Sequence, residues 1–123
     1  MLKEILYVGL GSAIGGILRY LTSLALRGFS ASFPFATLFV NVVGCLLIGL
    51  FSGLIARHFS SSTILSCLLV TGICGGFTTF SSFSKDCLIL LETGHSLSFV
   101  IYIATSIVAG ISSVLLGIYL TRL

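Results

Sequence analysis

The sequence has very little charge. Asp, Glu, Lys and Arg make up only 7% of its 123 residues, whereas 57% are hydrophobic. A soluble domain of that size needs far more charge to cover its surface. The six basic residues, Lys3, Arg19, Arg27, Arg57, Lys85 and Arg122, are scattered, and the net charge is only +3. With no basic cluster, nucleic acid is excluded as a partner. Four cysteines are present, Cys45, Cys67, Cys74 and Cys87, but none has C-x-x-C spacing or a histidine nearby. Zinc and redox pairing are therefore not indicated, and the thiols read as small apolar side chains. There is no Ser-His-Asp set, no phosphate loop and no metal-ligand cluster, and both histidines fall between the apolar runs. An enzyme needs a nucleophile, an acid or a metal, so catalysis is not expected. Nor does any carboxylate sit deep within the first, second or fourth apolar run. Proton-coupled transport normally needs one there. Low-complexity tracts and internal repeats are also lacking.

What the sequence does have is long apolar runs. Mean hydropathy is +1.25, and roughly 20 apolar residues suffice to cross a bilayer core. Four runs, at about 5–26, 33–56, 63–91 and 97–120, use nearly the whole chain. The expectation is an all-α membrane protein of four transmembrane helices in a single transmembrane domain, 1–123, with the lipid bilayer as its solvent. The first run follows Met1-Leu2-Lys3 in the manner of a signal peptide. It is too long for one, and it lacks an A-x-A cleavage site, so it reads as the first span. Short polar punctuators separate the runs: 27–30 with Pro34, then 57–62, then 92–95. Each suits a tight helical hairpin.

The third run is the unusual one. As a straight helix it would measure about 40 Å, against a hydrocarbon core of about 30 Å. Its middle carries Gly75-Gly76 followed by Phe77-Thr78-Thr79-Phe80-Ser81-Ser82-Phe83-Ser84. Adjacent glycines weaken a helix, and the hydroxyls offer other partners to freed backbone groups. The third helix is therefore expected to be broken near its middle, close to Gly75-Gly76. Irregular backbone at membrane depth is tolerated only inside protein or beside a polar cavity, which makes this segment the functional candidate. Lys3, Arg57 and Arg122 fall near one face, Arg27 near the other, and Arg19 and Lys85 within segments, a bias so weak that the positive-inside rule barely chooses an orientation. Insertion both ways, and hence an antiparallel homodimer, follows as an expectation. Small-residue spacings, Gly11-x-x-x-Gly15, Ser12-x-x-x-Gly16 and Gly49-x-x-x-Gly53, serve intrachain packing or dimerisation equally well.

Several polar residues sit inside the spans. Arg19 either draws anions toward a vestibule or snorkels to the nearby interface. Asn41 shares a helix face with Thr37 and either lines a pore or bonds neighbouring helices. Phe77, Phe80 and Phe83 recur every third residue beside a hydroxyl-rich face. A phenylalanine stripe is ordinarily core or lipid-facing. A ring presenting its electropositive edge can also stabilise an anion while excluding water, and the hydroxyls can replace lost hydration. Tyr102 and Ser106 share one face of the fourth run, continued by Gly110 and Ser113 with Thr105 and Ser112 beside it. Hydroxyls bonding back to their own helix are the plainer explanation for any one of these.

Three motifs occur in order: Gly15-Gly16-x-x-Arg19-Tyr20, Thr37-x-x-x-Asn41-x-x-Gly44, and Gly72-x-x-Gly75-Gly76-Phe77-Thr78-Thr79-Phe80-Ser81-Ser82-Phe83. Together with the length and the four spans, they make the whole chain resemble the Fluc family of fluoride channels, also called CrcB proteins. The third motif is the most specific. The resemblance implies a dual-topology antiparallel homodimer with two fluoride pores, inserted in both orientations in a bacterial-type inner membrane. It would let fluoride leave the cytoplasm passively after hydrogen fluoride enters and dissociates. It implies that Phe80 and Phe83 turn ring edges to the ion and that Asn41 helps orient them. Thr79 and Ser81 fall in the hydroxyl-rich stretch beside the pore. Tyr102 and Ser106 begin a polar track, which Gly110 interrupts and Ser112 or Ser113 continues. Arg19 resembles the vestibule arginine, and Asp86 falls where the family often has an acid. One structural Na⁺ at the dimer centre would be held by backbone carbonyls of Gly75 and Thr78 from both subunits. Two competing classes are a small drug/proton antiporter, which would need a glutamate inside the first span, and a non-transporting assembly subunit, which leaves the third segment unexplained.

Overall fold

The computed structural model describes all residues, 1–123, and is entirely helical. Helix α1 spans Leu2–Ala25 and α2 spans Phe35–His58. Helix α3 covers 63–77 and is composite. It opens as an α-helical turn at Thr63–Leu65, continues as a π-helix over Ser66–Cys74, and returns to α-geometry at Gly75–Phe77. Helix α4 spans Phe80–Glu92 and α5 spans Ser96–Leu120. Taking α3 and α4 as one unit, four helices are long and apolar enough to cross a membrane.

Local chemistry sets the hairpins. The Ser62 hydroxyl accepts from the Leu65 N–H and caps the start of α3. Just before it, Ser60 and Ser61 adopt left-handed backbone, with φ of 48° and 58°. At the other hairpin, Gly94 takes φ of 77°. Its N–H donates to the Leu91 carbonyl and the next N–H, of His95, to Leu90. This is a Schellman ending, which glycine favours because it carries no Cβ penalty.

The helices pack as two close pairs. α1 lies along α3, and α2 lies along α5. Both contacts rest on missing side chains. A Cβ on Gly72 would stand 2.8 Å from the Gly11 Cα, and one on Gly76 would stand 2.6 Å from the Ser12 carbonyl oxygen. In the other pair, a Cβ on Gly117 would stand 2.7 Å from the Leu50 nitrogen. Between helices in lipid, close backbone approach is a main source of attraction. The Gly11 and Gly49 spacings thus serve packing within the chain, whereas Gly16 faces open space. Leu6, Leu10 and Ile17 of α1 and Val108 and Leu115 of α5 are exposed, as helices bathed in hydrocarbon require. Near one end, Tyr102, Cys87 and Leu90 form a small core with Phe33, Leu38 and Phe83 against it.

Candidate functional site

The backbone leaves the helix at Thr78 and Thr79. Thr78 has φ −76° and ψ 157°, and Thr79 has φ −152° and ψ 113°. The departure comes two residues beyond Gly75-Gly76, the pair near which the sequence suggested it. Gly75 is helical, at φ −63° and ψ −37°, and Gly76 serves the close approach to Ser12 instead.

Two extended residues inside an apolar span need partners for their peptide groups. Asn41 of α2 supplies them for Thr79. Its Nδ2 donates to the Thr79 carbonyl at 3.1 Å, and its Oδ1 accepts from the Thr79 N–H at 2.8 Å. The side-chain amide thus does for Thr79 what a neighbouring strand would do. Thr79 is 8% exposed, so both bonds are shielded from solvent. One turn along the same face of α2, Gly44 leaves room for Thr78 and Phe77. A Cβ there would meet the Thr78 Cγ2 and stand 3.3 Å from a Phe77 ring carbon. The Thr78 N–H and hydroxyl both donate to the Cys74 carbonyl at 2.9 Å, closing off α3.

Thr79 also begins α4. Its hydroxyl oxygen accepts from the Ser82 N–H at 3.1 Å, donates to the Ser82 hydroxyl at 3.1 Å, and lies 3.2 Å from that of Ser81. From this capped start, Phe80 projects away from the protomer and is 79% exposed. The Phe83 ring centre lies 5.7 Å from that of Phe80 and 5.2 Å from that of Tyr102. Tyr102 is 0% exposed, and Phe33 meets it edge-on at 5.6 Å. The Tyr102 hydroxyl donates to Asp86 at 3.2 Å. An aromatic row therefore leads from the junction to a phenol and a carboxylate. Asp86 in turn lines a cavity of about 510 Å³ at the α1–α2 loop end, with Thr37, Thr93 and His95.

The remaining sequence candidates fall as follows. Ser106 is one turn beyond Tyr102, and its hydroxyl is buried with no partner in the chain. Gly110 packs toward Cys45. Arg19 is half-buried and makes no ion pair; the chain's one such pair joins the Met1 amine to Glu4. The cavity is reached from α1 by Ser23, one turn further on, and not by Arg19. Sequence reasoning missed Phe33, the bond of Ser82 to Thr79 and the role of Gly44 beside Thr78. Gly44 could have been found from its place one turn beyond Asn41. Nothing local marks Phe33, whose partner lies in the last helix.

Four helices of membrane-crossing length make this a multi-pass membrane protein. Within that class, a profile of the CrcB-like proteins (Camphor Resistance, CrcB) matches residues 6–118. The chain belongs to this family. Among its relatives is a protein of Rhizobium etli (strain CIAT 652) named fluoride-specific ion channel FluC. It is 49% identical over 116 residues, covering 94% of this chain and 93% of the relative. A protein of the same name from Rhizobium johnstonii is 48% identical over 123 residues, at 99% and 98% coverage. Another, from Flavobacterium psychrophilum, is 39% identical over 122 residues, at 98% of each chain.

Proposed function

We propose that the chain is a fluoride-selective channel that passes the ion down its gradient through an antiparallel homodimer with two pores. The activity follows from family membership and from relatives that carry the name over nearly their full length. The observation that supports the pore reading is the clamp of Asn41 on Thr79. It fixes the junction from which Phe80, Ser81 and Phe83 are presented.

Fluoride is small and strongly hydrated, so conduction requires dense replacement of its water shell. Phenyl edges attract an anion through the ring quadrupole. Hydroxyls of Thr79, Ser81, Tyr102 and Ser106 can add donors. None carries a fixed positive charge, so nothing here holds the ion too tightly for fast exit. Phe80 and Ser81 are exposed on the protomer. A polar stretch at membrane depth needs protein cover, and a second copy running the opposite way would provide it. The buried, unpartnered Ser106 hydroxyl is free to face the ion. Arg19 would raise the local anion concentration at a vestibule. A bacterial-type inner membrane, with copies inserted both ways, is the setting that fits a weak charge bias.

The cation implied at the dimer centre fits the donors present. The Thr78 carbonyl accepts no hydrogen bond within the chain. The Thr79 N–H, which a regular helix would direct at the Gly75 carbonyl, goes to Asn41 instead. Bare carbonyl oxygens suit a hard cation. Sodium, when bound, would supply a fixed charge that ties the two junctions together through Gly75 and Thr78 of each copy.

The test is efflux from liposomes carrying the purified protein, followed with a fluoride electrode and a parallel chloride control. Fluoride release without chloride release is the expected result. A folded protein that releases neither ion would overturn the channel reading.

A further inference from the structure

The α2–α5 contact carries a second feature, away from the aromatic row. Because the two helices run together from Gly49 to Thr121, their C-terminal ends emerge at the same membrane face. Between those ends lies a cavity of about 540 Å³, lined by Ser52, Gly53, Arg57, Thr121 and Arg122. The Arg57 Nη1 donates to the Thr121 carbonyl, which pins the guanidinium against the end of α5. A guanidinium has five N–H donors, so this bond leaves most of them available. Neither arginine has a carboxylate partner. The one acidic side chain at this face, Glu4, is engaged by the Met1 amine. Leu54, Tyr119 and Leu120, each next in sequence to a residue of the lining, are exposed.

The preferred occupant therefore needs an anionic oxygen group and an apolar body. Planar guanidinium groups match phosphate oxygens in pairs. Basic pockets between transmembrane helices at the interface suit anionic headgroups. We propose that the Arg57–Arg122 cavity binds the phosphodiester of an anionic phospholipid, whose acyl chains lie along the exposed apolar ends of α2 and α5. A free phosphate would find the same donors but nothing for its remaining surface to cover. The site is independent of the conduction reading.

The test uses the purified full chain in detergent, titrated with dioleoyl phosphatidylglycerol or dioleoyl phosphatidylcholine, with retained lipid counted by native mass spectrometry. Phosphatidylglycerol should bind about tenfold or more tightly than phosphatidylcholine, since each basic group near the surface contributes a factor of roughly five. Arg122→Gln keeps the Arg57–Thr121 bond intact and should lower phosphatidylglycerol affinity about fivefold. Adding Arg57→Gln should erase the preference. Arg27→Gln, in the hairpin at the opposite face, should change nothing. Equal binding of the two lipids by the wild-type chain, or an equal loss in Arg27→Gln, would overturn the proposal. Displacement of the lipid by an equal concentration of inorganic phosphate would do so too, by assigning the site to the free anion.

Discussion

The α1–α3 contact and the Thr78–Thr79 junction are neighbours in space, and they hold backbone in place by opposite means. Along α1–α3, position is set by atoms that are missing. Gly11, Gly15, Gly72 and Gly76 let two helices touch main chain to main chain. At the junction the helical partners are gone, and position depends on one added group, the Asn41 amide. In lipid, where apolar surfaces gain little by meeting each other, regular backbone is secured by close fit. Irregular backbone is secured only by hydrogen bonds.

Substitutions can test that contrast. The largest expected effect is at Asn41. Asn41→Ala strands both peptide groups of Thr79 at once and should cost about 4 kcal/mol, read as a lowered midpoint of detergent-induced unfolding. A midpoint equal to wild type would show that the junction does not depend on the amide. Gly15→Ala comes next. Its methyl would meet backbone atoms of Ile73 and Phe77, which cannot rotate away. A loss of about 3 kcal/mol is expected on the same scale. Phe80→Ile should leave the midpoint within about 0.5 kcal/mol, because the ring is exposed on the protomer. Fluoride efflux should nevertheless fall about tenfold or more, a barrier change of roughly 1.4 kcal/mol, because an aliphatic group has no electropositive edge. Wild-type efflux in the folded variant would remove Phe80 from the conduction path. The smallest effect is at Gly16, beside Gly15 in sequence but facing open space. The same methyl added there should be neutral, or stabilise by about 0.5–1 kcal/mol through helix propensity.

That last pair also marks how far sequence carries. Gly15 and Gly16 are indistinguishable as letters, and only the packed partner separates them. The four apolar stretches are legible because lipid selects for length and hydropathy, which are local properties. The helix interruption is only half legible. The glycines and hydroxyls single out the right dozen residues, but Gly75-Gly76 draws the eye for a conformational reason, whereas the work of Gly76 is steric. The backbone leaves the helix at Thr78 because a partner waits there, 38 residues away in the chain, and no reading of the third segment alone contains that partner. Asn41 stands out by its polarity, yet the bond it makes could not be assigned before the helices were placed. The π-helical winding of Ser66–Cys74 left no trace in the pattern of residue types. The pore lining and cation site proposed above would rest on how two copies meet, which a single chain's sequence encodes only through family resemblance.

Restarting a helix partway across the membrane has an electrostatic consequence. α4 is 13 residues long, and its first turn begins at Phe80, close to the middle of the third span. Aligned peptide dipoles give such a terminus roughly half a positive charge. In low-dielectric surroundings that partial charge is felt strongly. Across Thr78 and Thr79 it faces the carbonyl end of α3, whose partial charge has the opposite sign, so the chain sets a positive and a negative helix end side by side at mid-depth with no lysine or arginine between them.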